Sequence, residues 1–250
     1  MKVLHVIFST NRLKYLYKSL ESHAYLVYGN NEIDRLVIDD YPRTRNDAIF
    51  DLTAKAFGFR TILHKKNEGL SVTWSELFDM VKDSDYDYVL HQEDDVTLNQ
   101  FVYLDDMLEI MRVRPDICGL TLKRQPWYFH ETPSKIEDTD QIVNGYPLQW
   151  SRVFSPMFTL YPRWVTQGNM REVYNCNINE GMLIEYWVNH VNKGLGSYQM
   201  RAKDGGHLIE HIGEETHGIK LLPNEPNYEI FAKYDPDKVY SSKNGDFIRA

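Results

Sequence analysis

Short apolar runs alternate with stretches of helical periodicity through the first half of the chain. Val3–Phe8 is a continuous apolar run broken only by His5, and it reads as a buried strand. Ser9-Thr10-Asn11-Arg12 follows as a turn. Leu13, Leu16, Tyr17 and Leu20 then recur at the spacing of a helix face. Leu36–Ile38 is a second strand, ending in Asp39-Asp40 and stopped by Pro42. Ala48, Phe50, Leu52 and Ala56 predict a second helix closed by Gly58, and Phe59–Leu63 predicts a third strand. Val72, Leu77, Phe78 and Val81 line a third helix. Tyr88, Val89 and Leu90 open a fourth strand that ends in three acids, Glu93, Asp94 and Asp95. This alternation predicts βαβ units, a mostly parallel sheet and right-handed crossovers.

Beyond Glu93 the pattern predicts a helix over Leu98–Arg112 and a strand over Ile117–Leu122. It then loosens. Gln125–Tyr146 reads as loops over the sheet, and Phe154–Tyr161 as a strand interrupted by Pro156. Glu180–Val191 reads as a helix closed by Gly194, and Tyr198–Ala202 as a short strand. The glycine-bounded stretch Gly205–Gly213 carries His207 and His211. From Pro223 the polar chain reads as a surface tail. No internal repeat or linker divides the sequence, so residues 1–250 are expected to form one domain.

Composition narrows the classes. Hydrophobic residues make up 42% and charged residues 26%, which fits a globular domain and not wholesale disorder. The net charge of -8 argues against a broad electrostatic footprint on nucleic acid. Cys118 and Cys176 have no metal-type spacing, and Cys118 sits in an apolar run as a small hydrophobe would. The apolar opening Met1–Phe8 is too short for a signal-peptide core. No apolar run reaches the roughly 20 residues of a membrane helix. A cytoplasmic, reduced protein is the expectation. Much of the aromatic content, with 17 Tyr and 5 Trp in all, falls after Pro126, where Trp127, Tyr128, Trp150 and Trp164 serve either as sugar-stacking surfaces or as core.

The acidic run is the sharpest chemical signal. Ligands of open α/β sheets bind outside the carboxyl ends of the strands. Three carboxylates at one such end repel one another unless a cation, a hydrogen-bond network or open solvent accommodates them. Oxygen ligands of this kind suit Mg²⁺ or Mn²⁺ with positions left for substrate phosphates. A solvated acidic turn is the plain alternative.

Four strand ends thus carry polar residues toward one rim: Ser9–Arg12, Asp39-Asp40, Asn67-Glu68-Gly69 and Glu93-Asp94-Asp95. In this the chain resembles the GT-A glycosyltransferases, in particular the family-2-like inverting enzymes. Ser9-Thr10-Asn11-Arg12-Leu13-Lys14-Tyr15-Leu16 is similar to their Thr-x-Asn-Arg-x-x-x-Leu opening. Val37–Asp40 is similar to their Asp pair, Asn67–Gly69 to their Asn-x-Gly element, and Glu93–Asp95 to their Asp-x-Asp motif, with Glu93 in place of the first Asp. The resemblance covers about the first half of the chain. It implies a Rossmann-like GT-A sheet flanked by helices, with residues 1–122 binding a nucleotide-sugar. Residues 123–222 would form a loop-rich acceptor-binding and catalytic half, and 223–250 a tail.

The resemblance also implies roles. Thr10, Asn11, Arg12, Asp39, Asn67, Gly69, Glu93 and Asp94 would meet the donor, Thr10 and Asp39 its base and ribose. Asp95 with Glu93 or Asp94 would hold a divalent cation, Mn²⁺ or Mg²⁺. His211 would be a third ligand, with His207 and His217 competing for that place. An inverting enzyme needs a carboxylate base, and Glu180 sits in Asn179-Glu180-Gly181-Met182 where the family places one; Glu185, further along, is the alternative. Lys123-Arg124 would meet phosphate or acceptor, or stand as a solvated pair. The implied activity is transfer of a sugar from a nucleoside-diphosphate sugar, with uridine the default base, to an acceptor hydroxyl. That acceptor is a glycan, a small molecule, a protein or a modified nucleic-acid base. Two other readings stand beside it. One is a nucleotidyltransferase of nucleotide-sugar metabolism, although Thr10-Asn11-Arg12 lacks the glycine of a phosphate loop. The other is a non-catalytic, cation-dependent carbohydrate binder.

Overall fold

The computed structural model describes residues 1–41, 45–125, 136–151, 157–167, 196–213, 240–243 and 246–249. Its centre is β1 (Lys2–Ser9), buried from Val3 to Ser9, as the apolar run predicts. A turn leads into α1 (Leu13–Ser22), then the short β2 (Leu26–Val27) and β3 (Glu32–Asp39), which lies parallel to β1. α2 (Asp47–Ala56) starts at Asn46, whose side chain accepts the Ile49 N–H at 3.2 Å as an N-cap. β4 (Arg60–Leu63) extends the parallel sheet beyond β3. α3 (Leu70–Lys82) starts at Gly69, whose φ of +88° a side chain would resist. It returns the chain to β5 (Tyr88–Glu93) on the other side of β1.

The helices cover both faces. Ile7 and Val37 pack with Leu16 and Leu20 of α1 and Phe50 and Ala54 of α2. Leu4, Val6 and Phe8 point the other way, onto Trp74, Leu77, Phe78 and Val81 of α3. This is the period-2 alternation of strand side chains meeting two helical stripes.

After β5 the structure departs from the sequence expectation. The helix expected over Leu98–Arg112 is shorter. Val96–Leu98 is a strand (β6), Val102–Tyr103 another (β7), and α4 runs from Leu104 to Val113. The β-branched pair Val96-Thr97 pairs with a later strand instead, and the Leu98 N–H is held by Ser22 Oγ at 3.0 Å. The helical stripe Leu104, Met107, Leu108 and Met111 is buried as expected. β8 (Ile117–Leu122) falls where the sequence places it, with Cys118 buried; that burial pushes the thiol up to about 11. β9 (Arg124–Gln125) follows.

The stretch read as loops over Gln125–Tyr146 instead contains β10 (Ile136–Val143), paired antiparallel with β11 (Tyr146–Ser151). Its turn is Asn144-Gly145, with φ of +53° and +82°. Both values are left-handed, and Asn-Gly is the residue pair that accepts them in a two-residue hairpin. β12 (Phe158–Pro162) lies antiparallel between β5 and β8, and β13 (Gly196–Met200) pairs with β8 and β11. The resulting nine-stranded order is β10-β11-β13-β8-β12-β5-β1-β3-β4, with only β11 and β12 reversed. β14 (Ile209–His211) joins β6 and β9 in a small second sheet. β15 (Tyr240–Lys243) and β16 (Asp246–Arg249) form a hairpin where a plain tail was expected. The expected helix Glu180–Val191 lies outside the described residues. Among those described, no helix is long and apolar enough to cross a membrane.

Candidate functional site

β1, β3, β4 and β5 are parallel and in register, so their carboxyl ends form one rim. Ser9 stands beside Asp39, Asp39 beside Leu63, and Phe8 beside Glu93. Asn11 takes φ +59°, a left-handed value that Asn tolerates, and this turns its N–H onto the Asp39 carboxylate. Asp39 is fully buried and also accepts the Tyr41 N–H at 3.1 Å and the Arg45 guanidinium. Burial pushes its carboxyl up, and these donors work against that push. The side chain is therefore engaged in holding the rim together. Thr10 is exposed at the edge.

Asp40 ties in the third strand end. It accepts the N–H groups of Glu68 (2.8 Å) and Gly69 (2.6 Å) and the ring of His64 (2.7 Å). Asn67 Oδ1 also takes the Gly69 N–H at 3.1 Å, and the other His64 nitrogen reaches Glu76 at 2.7 Å. The hydrogen bond to Asp40, helped by Glu76, raises His64 to about 9. Folding therefore binds a proton that the unfolded chain releases near pH 6.5, the ordinary histidine value. The stabilisation is fully present below pH 6.5 and lost as pH rises through about 9. Because Glu76 is partly in solvent, we expect about 1 kcal/mol. Urea titrations at pH 6 and pH 9.5 should show the difference between wild type and His64→Gln shrinking at the higher pH; an unchanged difference would refute it.

The three acids at the end of β5 are not equivalent. Asp94 is fully buried, accepts Ser9 Oγ at 2.6 Å and pairs with Arg12. Burial pushes its carboxyl up to about 6, with the Arg12 charge pulling against that. Asp95 is 4% exposed and takes Arg12 Nη1 at 2.5 Å and His211 Nε2 at 3.5 Å. Burial alone would raise it; His211 and Arg12 outweigh that and hold it below the usual carboxylate range. Its other oxygen, Oδ1, is buried without a hydrogen-bond partner. A buried carboxylate oxygen left unpaired is costly, and a cation is one group that would satisfy it.

His211 arrives from far along the chain. β14 pairs with β6 so that His211 lies opposite Val96, and the Ile212 N–H donates to the Asp95 carbonyl at 2.8 Å. One ligand atom each from Glu93, Asp95 and His211 then lie within 4.8 Å of one another. Two carboxylates and an imidazole form a donor set suited to a divalent cation such as Mn²⁺, and the orphaned Asp95 Oδ1 fits such an ion. Gly213 closes the cluster. A Cβ there would stand 2.2 Å from Asp95 Oδ2. Gly213→Ala is expected to displace the Asp95 carboxylate and weaken Mn²⁺ binding about tenfold, the scale on which supporting residues act; unchanged affinity by calorimetric titration would count against the cluster.

No family model and no curated protein matches the chain. Solved structures do. S. aureus TarS residues 1–349 superpose with a TM-score of 0.53 at 16% identity, covering 87% of this chain and 62% of that one. The same fragment in complex with UDP-GlcNAc gives 0.52 at 16% identity, over 84% and 58%. GalNAc-T7 with UDP, GalNAc and Mn²⁺ gives 0.54 at 11% identity, over 84% and 43%. The chain has the GT-A fold. It spans less than two thirds of the length of each of these proteins.

On this GT-A rim the structure brings together Asn11, Arg12, Asp39, Asp94 and Asp95, and separately Glu93, Asp95 and His211. His207 is not in the acidic cluster; its carbonyl accepts from Gln100 at 2.6 Å. Arg124, read as half of a basic pair, is buried in β9 beside β14. Trp150 packs against the core and Trp164 is 41% exposed. Glu180, Glu185, His217, Trp127, Tyr128 and Cys176 lie outside the described residues. The sequence placed Ser9 at the rim but not its bond to Asp94, and it did not single out His64 or Gly213. For Gly213 a signal was present, a glycine two residues after a candidate ligand. For the other two nothing local pointed to the contact.

Proposed function

We propose that this protein is a metal-dependent glycosyltransferase that moves a sugar from a nucleoside-diphosphate sugar, with UDP as the first candidate, to an acceptor hydroxyl. The observation that carries the reading is the Glu93–Asp95–His211 cluster, with its unpaired Asp95 Oδ1, at the carboxyl edge of a GT-A sheet. The structural neighbours crystallised with UDP or UDP-GlcNAc support the choice of donor, and the Mn²⁺ in the GalNAc-T7 structure supports the choice of cation.

A cation held by Glu93, Asp95 and His211 would supply neutralisation of the charge that develops on the departing diphosphate. The chain's own groups do the rest. Asp39 fixes the Asn11 turn, and Asp40 fixes the Asn67–Gly69 turn, so the rim is set before the donor arrives. Asp94, already neutralised by Arg12 and Ser9, supports the turn and leaves Glu93 and Asp95 to face the ligand. Glu180 is proposed as the base, with Glu185 as its alternative. It takes the acceptor hydroxyl proton as that oxygen bonds to the anomeric carbon and the bond to the diphosphate breaks, inverting the configuration.

The test is a thermal-shift panel of nucleoside diphosphates and nucleotide-sugars, each with Mn²⁺ and with chelator. A ligand that binds only the folded state raises the melting temperature by mass action. Stabilisation by a uridine nucleotide that needs Mn²⁺ is expected. No shift with any nucleotide in Mn²⁺ would make the acids a structural turn. Metal-dependent binding without release of nucleotide, with or without acceptors, would favour a carbohydrate-binding role.

A further inference from the structure

A second concave site lies away from the acidic rim, against α1, the turn before β2 and the turn after α2. It is a cavity of about 340 Å³ walled by Leu20, His23, Tyr28, Arg35, Phe57 and Phe59. That volume falls in the range of small-molecule sites, and the lining mixes aromatic and aliphatic surface with a few polar groups.

The polar wall is set by one buried network. Gln92 Nε2 donates to the Val96 carbonyl at 3.1 Å and lies 2.6 Å from Ser19 Oγ. A carbonyl can only accept, so the amide orientation is fixed and Gln92 Oε1 faces the two histidines. His5 Nε2 (3.0 Å) and His23 Nε2 (2.9 Å) both donate to it. Burial drives both rings toward the neutral form, His23 down to about 4. With its proton on Nε2, neutral His5 must accept at Nδ1, so Tyr28 donates its hydroxyl proton inward at 2.8 Å. The His23–Tyr28 side of the wall therefore carries no charge.

Arg35 supplies the charge. Its guanidinium carbon lies 4.5 Å from the Tyr28 ring centroid, the group also hydrogen-bonds the Tyr28 side chain, and Nη1 reaches the Phe57 carbonyl at 3.5 Å. Nε is buried without a hydrogen-bond partner. Among the described residues no carboxylate is paired with it within 4 Å; Glu21, which also lines the cavity, is exposed to solvent. A guanidinium over a tyrosine ring, lining a largely apolar recess and with no carboxylate paired to it among the described residues, offers charged donors to an anion.

We propose that this cavity binds a small aryl or alkyl carboxylate, its carboxylate on Arg35 and its apolar body against Phe57, Phe59 and Leu20. The proposal is independent of the glycosyltransferase reading.

The probe is indole-3-acetate, with the neutral indole-3-acetamide as its partner, read by thermal shift and calorimetric titration. The acid should stabilise the wild-type protein saturably and the amide at least tenfold more weakly. Arg35→Met removes the charge. Ala24→Trp, at an exposed lining position, fills the recess and leaves Arg35 in place. Each should weaken the acid at least tenfold, with the unliganded melting curve reporting that the variant is folded. UDP with Mn²⁺ should not compete. No binding of the acid, equal binding of acid and amide, an acid affinity that survives in either folded variant, or competition by UDP would each overturn the proposal.

Discussion

Replacing Asp95 with Asn is expected to remove Mn²⁺-dependent stabilisation by nucleotide and to lower kcat/KM for transfer by roughly 10²–10³-fold, about 2.7–4 kcal/mol of transition-state stabilisation. Shape and charge act together at this position. Asn keeps the outline of the side chain, so Gly213 still fits against it. What changes is that the buried Oδ1, unpaired in the protein alone, no longer belongs to an anion. His211 and Glu93 remain, but one carboxylate and one imidazole neutralise a dication less well than two carboxylates and an imidazole. The fold should survive, because Arg12 keeps its pairing with Asp94. Thermal shift with and without Mn²⁺ and steady-state release of nucleotide measure the two effects. An Asp95→Asn protein that binds nucleotide in a Mn²⁺-dependent way and transfers at the wild-type rate would remove Asp95 from the metal site. A neighbouring comparison sharpens it. Asp94→Asn should spare metal dependence far more, because Asp94 is fully enclosed by Ser9 and Arg12.

The parallel half of the fold was legible because each step of it is local. Val3–Phe8, Leu36–Ile38 and Ile117–Leu122 are apolar runs long enough for a strand and too short for a helix. The helices between carry stripes such as Leu16 with Leu20 and Leu77 with Val81. The reversed strands were not legible, since a strand such as Phe158–Pro162 does not encode its direction; the neighbours β5 and β8 decide that. The hairpin over Ile136–Ser151 was legible in principle through Asn144-Gly145, and the polar alternation of Glu137, Asp138 and Asp140 obscured it. At the rim, the strand-end acids stand out in the sequence, but their division of labour does not. Asp94 and Asp95 are chemically identical neighbours, and only the turn after β5 sends one inward to Ser9 and the other toward His211. Arg12 meets Asp94 across 82 positions of sequence and His211 meets Asp95 through the pairing of β14 with β6. Tertiary contacts of that length leave no periodicity to read. His211 was singled out through the resemblance and not through spacing.

Arg12→Met should be the most destabilising substitution at the rim, costing about 3–5 kcal/mol, the scale for removing one partner of a buried ion pair. The methionine stem replaces the apolar part of the arginine, so the loss is chiefly electrostatic. Asp94 has no exposed surface and would keep only Ser9 Oγ, while the adjacent Asp95 would repel it across the same turn. Its carboxyl, already pushed up by burial to about 6 with Arg12 present, then rises further. The sign follows from linkage. A carboxyl whose folded value lies above its unfolded one, near 4, opposes folding at high pH and does so less as pH falls through the folded value and it protonates. The penalty of Arg12→Met should therefore be full only above the variant's raised Asp94 value, shrink as pH falls from there toward about 6, and be smallest below about pH 6. Adding Asp94→Asn removes the charge that Arg12 serves, so the double variant should recover most of the loss, with an interaction of about 2–3 kcal/mol in the cycle of urea-denaturation free energies. Strictly additive single and double variants would mean that Arg12 acts through packing alone. A pH-independent penalty would mean that Asp94 is not the group left without its partner.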